Sequence, residues 1–123
     1  MKLYMLAESD DLAEIELPIT SAIEEWLSTQ EGDTKPTFVN LRHEAHDDHK
    51  KQGERRWELG LELIVQSKAG LQEPLSFLYG VAKQNKCDFV IGILDGESKE
   101  DICYFGHEEG RPDRHEVAMY LGL

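Results

Sequence analysis

The sequence predicts an α+β fold, a two-layer sandwich in which helices cover one face of a five-stranded, mainly antiparallel sheet. Three observations support this prediction: two segments carry apolar residues at helical spacing, one long ribbon alternates leucines with polar residues, and one strand is apolar on both faces. With 123 residues, of which 40% are hydrophobic, the chain is large enough for one core. We therefore expect a single α+β domain over residues 1–123.

The first predicted elements are a strand and a helix. Residues 2–7 form a short apolar run that is typical of a strand, β1. Pro18 is suited to the first turn of helix α1, because a backbone N–H has no partner there and its loss costs little. The apolar residues that follow recur at helical spacing and define one buried stripe: Ile19, Ile23, Trp26 and Leu27. Gly32 is expected to end this segment.

The clearest pattern is a ribbon of two strands, β2 (residues 37–44) and β3 (residues 55–66), joined by a charged loop. In β3, Leu59, Leu61 and Leu63 alternate with polar or small residues. Because side chains of a strand alternate between its two faces, we expect these three leucines to face the helices.

The same alternation predicts how β2 and β3 pair. A register in which paired residue numbers sum to 100 brings the leucines of both strands to one face. The expected pairs are Leu41 with Leu59, His43 with Trp57, and Arg42 with Glu58. The last of these is a favourable cross-strand charge pair on the opposite face.

The second half of the chain completes the sheet. Its predicted elements are α2 (residues 73–86), β4 (residues 87–94), β5 (residues 101–106) and α3 (residues 112–121). Strand β4 is apolar on both faces, as expected of an inner strand. The first six elements match a split βαββαβ arrangement with right-handed crossovers, which predicts the strand order β2-β3-β1-β4-β5 with α1 and α2 on one face. We place α3 on the other face, near β1 and β4.

Two cysteines, Cys87 and Cys103, lie in the β4–β5 hairpin. With Asp95-Gly96 in the turn, Phe89 pairs with Ile102 or Tyr104, and the two sulfur atoms point to opposite faces of the sheet. We therefore expect reduced cysteines that serve in packing rather than a disulfide. The chain also lacks 18 consecutive apolar residues and a signal-peptide pattern, so we expect a cytoplasmic protein.

The net charge of −12 is concentrated near the N-terminus, where residues 1–33 contain one basic and nine acidic residues, a net of −8. This field repels nucleic-acid backbones and anionic membranes, and it attracts a basic protein partner. The candidate partner-binding residues are Asp10, Asp11, Glu14, Glu16, Glu24 and Glu25. The alternative interpretation is that an acidic surface only keeps the protein soluble.

Three histidines lie at the end of β2 and in the loop that follows it: His43 in the strand, and His46 and His49 in the loop, with carboxylates between them. Imidazole and carboxylate groups are ligands of zinc and related divalent metals. The spacing does not match a helical zinc motif, and the neighbouring lysines and arginines oppose a cation. We therefore favour a solvated loop and expect no metal or other cofactor.

A second histidine pair, His107 and His115, lies beside carboxylates between β5 and α3. These residues are candidates for acid–base catalysis, and the adjacent Arg111 and Arg114 are candidates for holding a small anion. The alternative is that this segment only connects two elements, with Asp113 and Glu116 complementing the helix dipole. We favour the connecting role, because the sequence places no nucleophile there.

The motifs of phosphate loops, dinucleotide-binding turns, serine-hydrolase elbows and CxxC oxidoreductases are absent from the sequence. The leading hypothesis is therefore a small non-catalytic binding or regulatory protein, such as an immunity-type inhibitor that recognises a basic partner. The alternatives are a metal-assisted or acid–base enzyme that uses the histidine clusters, and a homodimer formed through an exposed sheet edge or face.

Overall fold

The computed structural model describes residues 1–32, 35–43 and 55–123. In this part of the chain, three α-helices and one short 3₁₀ helix accompany five strands. The elements are β1 (Lys2–Glu8), α1 (Leu12–Leu27), β2 (Thr37–Arg42), β3 (Trp57–Ile64), the 3₁₀ helix (Lys68–Leu71), α2 (Gln72–Asn85), β4 (Asp88–Asp95), β5 (Ser98–Gly106) and α3 (Arg114–Leu121). The α+β class and the order of the elements are as the sequence predicts.

The five strands form one antiparallel sheet in the order β2-β3-β1-β4-β5, which confirms the predicted topology. Strand β1 lies at the centre, between β3 and β4. The side chains of Leu59, Leu61 and Leu63 are buried against the helices. No helix in the described part of the chain has both the length and the apolar character needed to cross a bilayer.

Helix α1 begins at Leu12, six residues before the start that Pro18 predicted. Pro18 lies inside the helix, on its exposed side. A proline in this position removes one backbone hydrogen bond of the helix. Because this side of the helix faces solvent, water can satisfy the carbonyl that loses its partner. Glu14 and Glu16, which precede Pro18, therefore belong to the helix.

The predicted register of β2 is wrong by one residue. Arg42 pairs with Trp57, and Leu41 pairs with Glu58 and is 44% exposed. The indole Nε1 of Trp57 donates a hydrogen bond of 2.8 Å to the Asn40 side chain, and the Arg42 guanidinium lies 3.8 Å from the centre of the Trp57 ring. These contacts hold Asn40 and Arg42, rather than Leu41, on the helix side of the sheet.

The prediction that the two cysteines point to opposite faces of the sheet is also wrong. The register of the β4–β5 pair shifts between Ile91 and Gly92, which leaves Ile102 as the extra residue of a β-bulge. Beyond the bulge, Cys103 pairs with Ile91 and turns to the helix side, where Cys87 also packs. Both cysteines are reduced.

The position predicted for α3 is wrong as well. Its buried residues, Val117, Ala118 and Leu121, belong to the same hydrophobic core as those of α1 and α2. Helix α3 packs against β5 and the 3₁₀ helix, on the helix side of the sheet. Its N-terminus is capped by Asp113, whose side chain accepts hydrogen bonds from the backbone N–H groups of His115 and Glu116.

Candidate functional site

The outward side of α1 carries most of the predicted partner-binding residues. Ile19 and Ile23 are fully buried and fix the rotation of the helix on the sheet. Side chains on the opposite side of the helix, at spacings of three and four residues, therefore point into solvent. We call this surface the acidic face of α1. It consists of Glu14, Leu17, Glu24 and Glu25 within the helix, together with Asp10 and Asp11 immediately before it, all exposed.

Leu17 is the apolar member of the acidic face, and 77% of it is exposed. It lies one helical turn after Glu14 and two turns before Glu24. Within the described residues, none of the five carboxylates of this face forms an ion pair with a basic side chain. The face therefore combines uncompensated negative charge with one exposed aliphatic side chain.

Glu16 has a different role from its neighbours in α1. Its carboxylate accepts a hydrogen bond of 2.8 Å from Arg42 and one of 2.9 Å from the side-chain amide of Asn40. Because its rotation on the helix turns it toward β2, Glu16 connects α1 to the edge of the sheet. Glu16 therefore differs from the exposed carboxylates of α1, because it already has polar partners on β2.

The sheet face opposite the helices carries a polar cluster that the sequence did not predict. Arg55 donates a hydrogen bond of 2.5 Å from Nε to Glu8, and bonds of 3.0 and 2.9 Å to the two carboxylate oxygens of Asp101. The hydroxyl of Tyr4 also donates to Asp101. Burial alone would raise the pKa of Asp101, but the hydrogen bonds from Arg55 and Tyr4 outweigh this effect and lower it.

Beside this cluster, Glu58 is a buried carboxylate with two polar partners. Only 7% of the residue is exposed, and it accepts hydrogen bonds from Lys99 and, at 3.1 Å, from Nε2 of His43. Burial raises the pKa of Glu58, but these hydrogen bonds outweigh that effect, so that its pKa lies below the usual value. These hydrogen bonds connect Glu58 of β3 to Lys99 of β5 and to His43, which follows β2.

Of the three histidines predicted as metal ligands, only His43 lies within the described residues. His43 bonds to Glu58, whereas His46 and His49 lie outside the described residues. Residues 1–32, 35–43 and 55–123 contain no group of three or more histidine, cysteine, aspartate or glutamate side chains that could hold a metal ion.

The structure shows no contact between His107 and His115, the two candidate acid–base residues. The backbone N–H of His107 donates to the carbonyl of Cys87 at 3.0 Å, and its side chain is exposed after β5. The Nδ1 atom of His115 lies 2.9 Å from Nζ of Lys68. Because a lysine ammonium is only a donor, Nδ1 is the acceptor, which places the proton of a neutral imidazole on Nε2.

His115 also lines a cleft of about 470 Å³ between α2 and the segment before α3. Arg111 and Arg114, the candidate anion-binding residues, line the same cleft. The sequence identified these side chains but not the cleft, because the wall that faces them comes from α2. Comparisons with protein-family models, with curated proteins and with solved structures return no match to this chain.

Proposed function

We propose that this chain is a binding protein that recognises the basic surface of another protein through the acidic face of α1. One observation carries the proposal: five exposed carboxylates that form no ion pair within the described residues lie before and after Leu17 on the outward side of α1, and Leu17 is 77% exposed. Negative charge alone serves solubility equally well. A large exposed aliphatic side chain at its centre does not improve solubility, and it gives a partner an apolar contact.

The two kinds of side chain have different roles in such an interface. Exposed carboxylates accelerate the encounter with a basic protein and suppress wrong partners, and this contribution decreases with salt. Leu17 contributes affinity when its apolar surface leaves water, and this contribution is not screened by salt. We therefore expect association to be faster at low salt and a residual affinity at high salt that depends on Leu17.

Enzymes that act on nucleic acids carry basic surfaces for the phosphate backbone. An acidic helix with an apolar centre has the charge needed to cover such a surface. The most specific form of this function is that of an immunity-type inhibitor that acts in the cytoplasm.

The experiment compares proteins retained from a cell lysate by the wild type and by two variants of equal charge. One variant is Glu14→Gln/Glu24→Gln/Glu25→Gln, on the acidic face. The control is Glu97→Gln/Glu100→Gln/Glu109→Gln, at exposed positions elsewhere. We expect a basic protein that the wild type and the control retain at low salt, and that the α1 variant does not.

The purified partner is then titrated with the Leu17→Ala variant at low and at high salt. We expect weaker binding at both salt concentrations. Equal loss in the two glutamine variants would show attraction by total charge only and would contradict the proposal, as would the absence of any retained basic protein. A retained second copy of this chain, detected by light scattering, would instead support the homodimer alternative.

A further inference from the structure

We propose that the cleft between α2 and α3 binds a small phosphorylated molecule that carries a planar ring, of the size of a nucleoside monophosphate. The cleft has a volume of about 470 Å³, within the range of small-molecule sites. One wall comes from α2 and the other from the segment that leads into α3. The residues that carry the argument are Gln72, Leu75, Tyr79, Arg111, Pro112 and Arg114.

The cleft is positively charged although the chain as a whole has a net charge of −12. Arg111 and Arg114 line it, and no carboxylate residue does. Lys68 adds a third cationic side chain through its contact with His115. In the part of the chain that the structure describes, neither arginine forms an ion pair with a carboxylate. Arg114 instead donates a hydrogen bond to the neutral side chain of Gln72.

Asp113 and Glu116, two carboxylates adjacent in sequence to Arg114 or within two residues of it, have other partners. Asp113 accepts hydrogen bonds of 2.9 and 3.2 Å from the first backbone N–H groups of α3. Glu116 accepts a hydrogen bond of 2.6 Å from the hydroxyl of Tyr120. Because Asp113 already caps α3, the anion is held by the arginine side chains and not by the end of the helix. Arginine pairs well with phosphate, since its donors match the geometry of the phosphate oxygens.

The remaining wall of the cleft is apolar and favours a flat group. Leu75, Pro112 and the half-buried ring of Tyr79 form it. The guanidinium of Arg111 lies 5.5 Å from the centre of the Tyr79 ring, and Nζ of Lys83 lies 5.6 Å from it. A ligand that places its phosphate between the arginines can lay a planar ring along this wall. A long polyanion is disfavoured by the acidic remainder of the surface.

The inference goes beyond the proposed function, because it concerns different elements and a different class of ligand. We test it by titrating the full chain with adenosine monophosphate while recording the backbone amide shifts by NMR. Separate arms use inorganic phosphate and adenosine. We expect saturable shifts in residues 72–79 and 111–116 with adenosine monophosphate, weaker binding of phosphate, and the weakest binding of adenosine.

The variant Arg111→Gln/Arg114→Gln is expected to weaken binding of adenosine monophosphate at least tenfold. Because Arg114 also bonds to Gln72, the single variant Arg111→Gln, at an exposed position, gives a second measurement that leaves this contact intact. Arg56→Gln removes an exposed arginine elsewhere and is expected to leave binding unchanged.

Three results would overturn the inference. The first is the absence of saturable shifts in the cleft at about 10 mM adenosine monophosphate, a concentration that detects even a millimolar dissociation constant. The second is equal weakening by Arg56→Gln, which would show attraction by charge without a site. The third is equal affinity for phosphate and adenosine monophosphate, which would show that the apolar wall makes no contact with the ligand.

Discussion

The aromatic ring of Tyr4 lies directly over Gly92, on the sheet face opposite the helices, and a Cβ atom at position 92 would overlap the ring. Tyr4 in β1 pairs with Gly92 in β4, and Gly92 pairs with Asp101 in β5. The ring therefore crosses β4 at the one place where no side chain blocks it. This crossing allows the Tyr4 hydroxyl to bond to Asp101, two strands away.

We expect Gly92→Ala to lower the free energy of unfolding by about 1–3 kcal/mol, because the added methyl group displaces the Tyr4 ring. In a Tyr4→Ala background the same change is expected to cost less, with a coupling energy of at least about 0.5 kcal/mol. Gly80→Ala serves as the control, because Gly80 is an exposed helical residue with open space around it, and alanine there stabilises a helix by about 1 kcal/mol. Urea unfolding measures all four variants. If Gly92→Ala costs as much in the Tyr4→Ala variant as in the wild type, the Tyr4 ring does not pack over Gly92.

The Glu58 cluster predicts a specific dependence of stability on pH. Because the pKa of Glu58 is lower in the folded chain than in the unfolded chain, its contribution is present above about pH 4.3 and is lost as the pH falls through the folded value. We expect Glu58→Gln to cost about 2 kcal/mol at pH 7, and the difference from the wild type to shrink below about pH 4.

Glu62→Gln is the matched control on the same strand. Its ion pair with the exposed Lys2 is 3.7 Å long and open to solvent on the lysine side, and we expect its loss to cost less than about 1 kcal/mol. Urea unfolding at a series of pH values compares the two variants. A difference between Glu58→Gln and the wild type that stays constant down to pH 3 would count against the lowered pKa.

Trp26 and Phe77 join α1 to α2 by stacking, with ring centres 4.5 Å apart and ring planes 6° from parallel. A double-mutant cycle with Trp26→Leu and Phe77→Leu is expected to give a coupling energy of about 0.5–1.5 kcal/mol. Leu17→Ala and Phe77→Leu should be additive within about 0.5 kcal/mol, because Leu17 faces solvent. Additive effects in the first cycle would show that the stack itself adds nothing beyond burial.

The two cysteines should react slowly with alkylating reagents in the folded chain. Burial, with the nearby charge of Asp88, raises the pKa of Cys87 to about 11, and burial also raises the pKa of Cys103. Cys87 is 3% exposed and Cys103 is half-buried. We expect Cys103 to react first, and Cys87 to react about a hundredfold more slowly than in denaturant at pH 8. Single-cysteine variants assign the two rates by mass spectrometry, and the reverse order of labelling would refute this expectation.

The order of the elements could be read from the sequence because its signals are local. Helical spacing in α2, alternation in β3 and the doubly apolar β4 are each contained in a short window. Once the elements were known, the rules for hairpins and crossovers left few arrangements, and the predicted strand order is the one observed.

Which face of β2 points toward the helices could not be predicted from the sequence in the same way. Phe38 is apolar on one side of this strand, and Val39 and Leu41 are apolar on the other, so alternation favoured the wrong side. The observed side is held by contacts of Asn40 and Arg42 with residues of other elements, Trp57 and Glu16.

The acidic residues proposed to bind a partner show the same distinction between local and tertiary information. The acidic character of the N-terminal third follows directly from the amino-acid sequence, since charge is a property of composition. Only the tertiary structure separated Glu16, which is bonded to Arg42, from Glu14 and Glu24, which are exposed, because the rotation of α1 is set by what Ile19 and Ile23 pack against. Tyr4 and Asp101, 97 residues apart, meet for the same reason: their contact exists only after the strands between them have assembled.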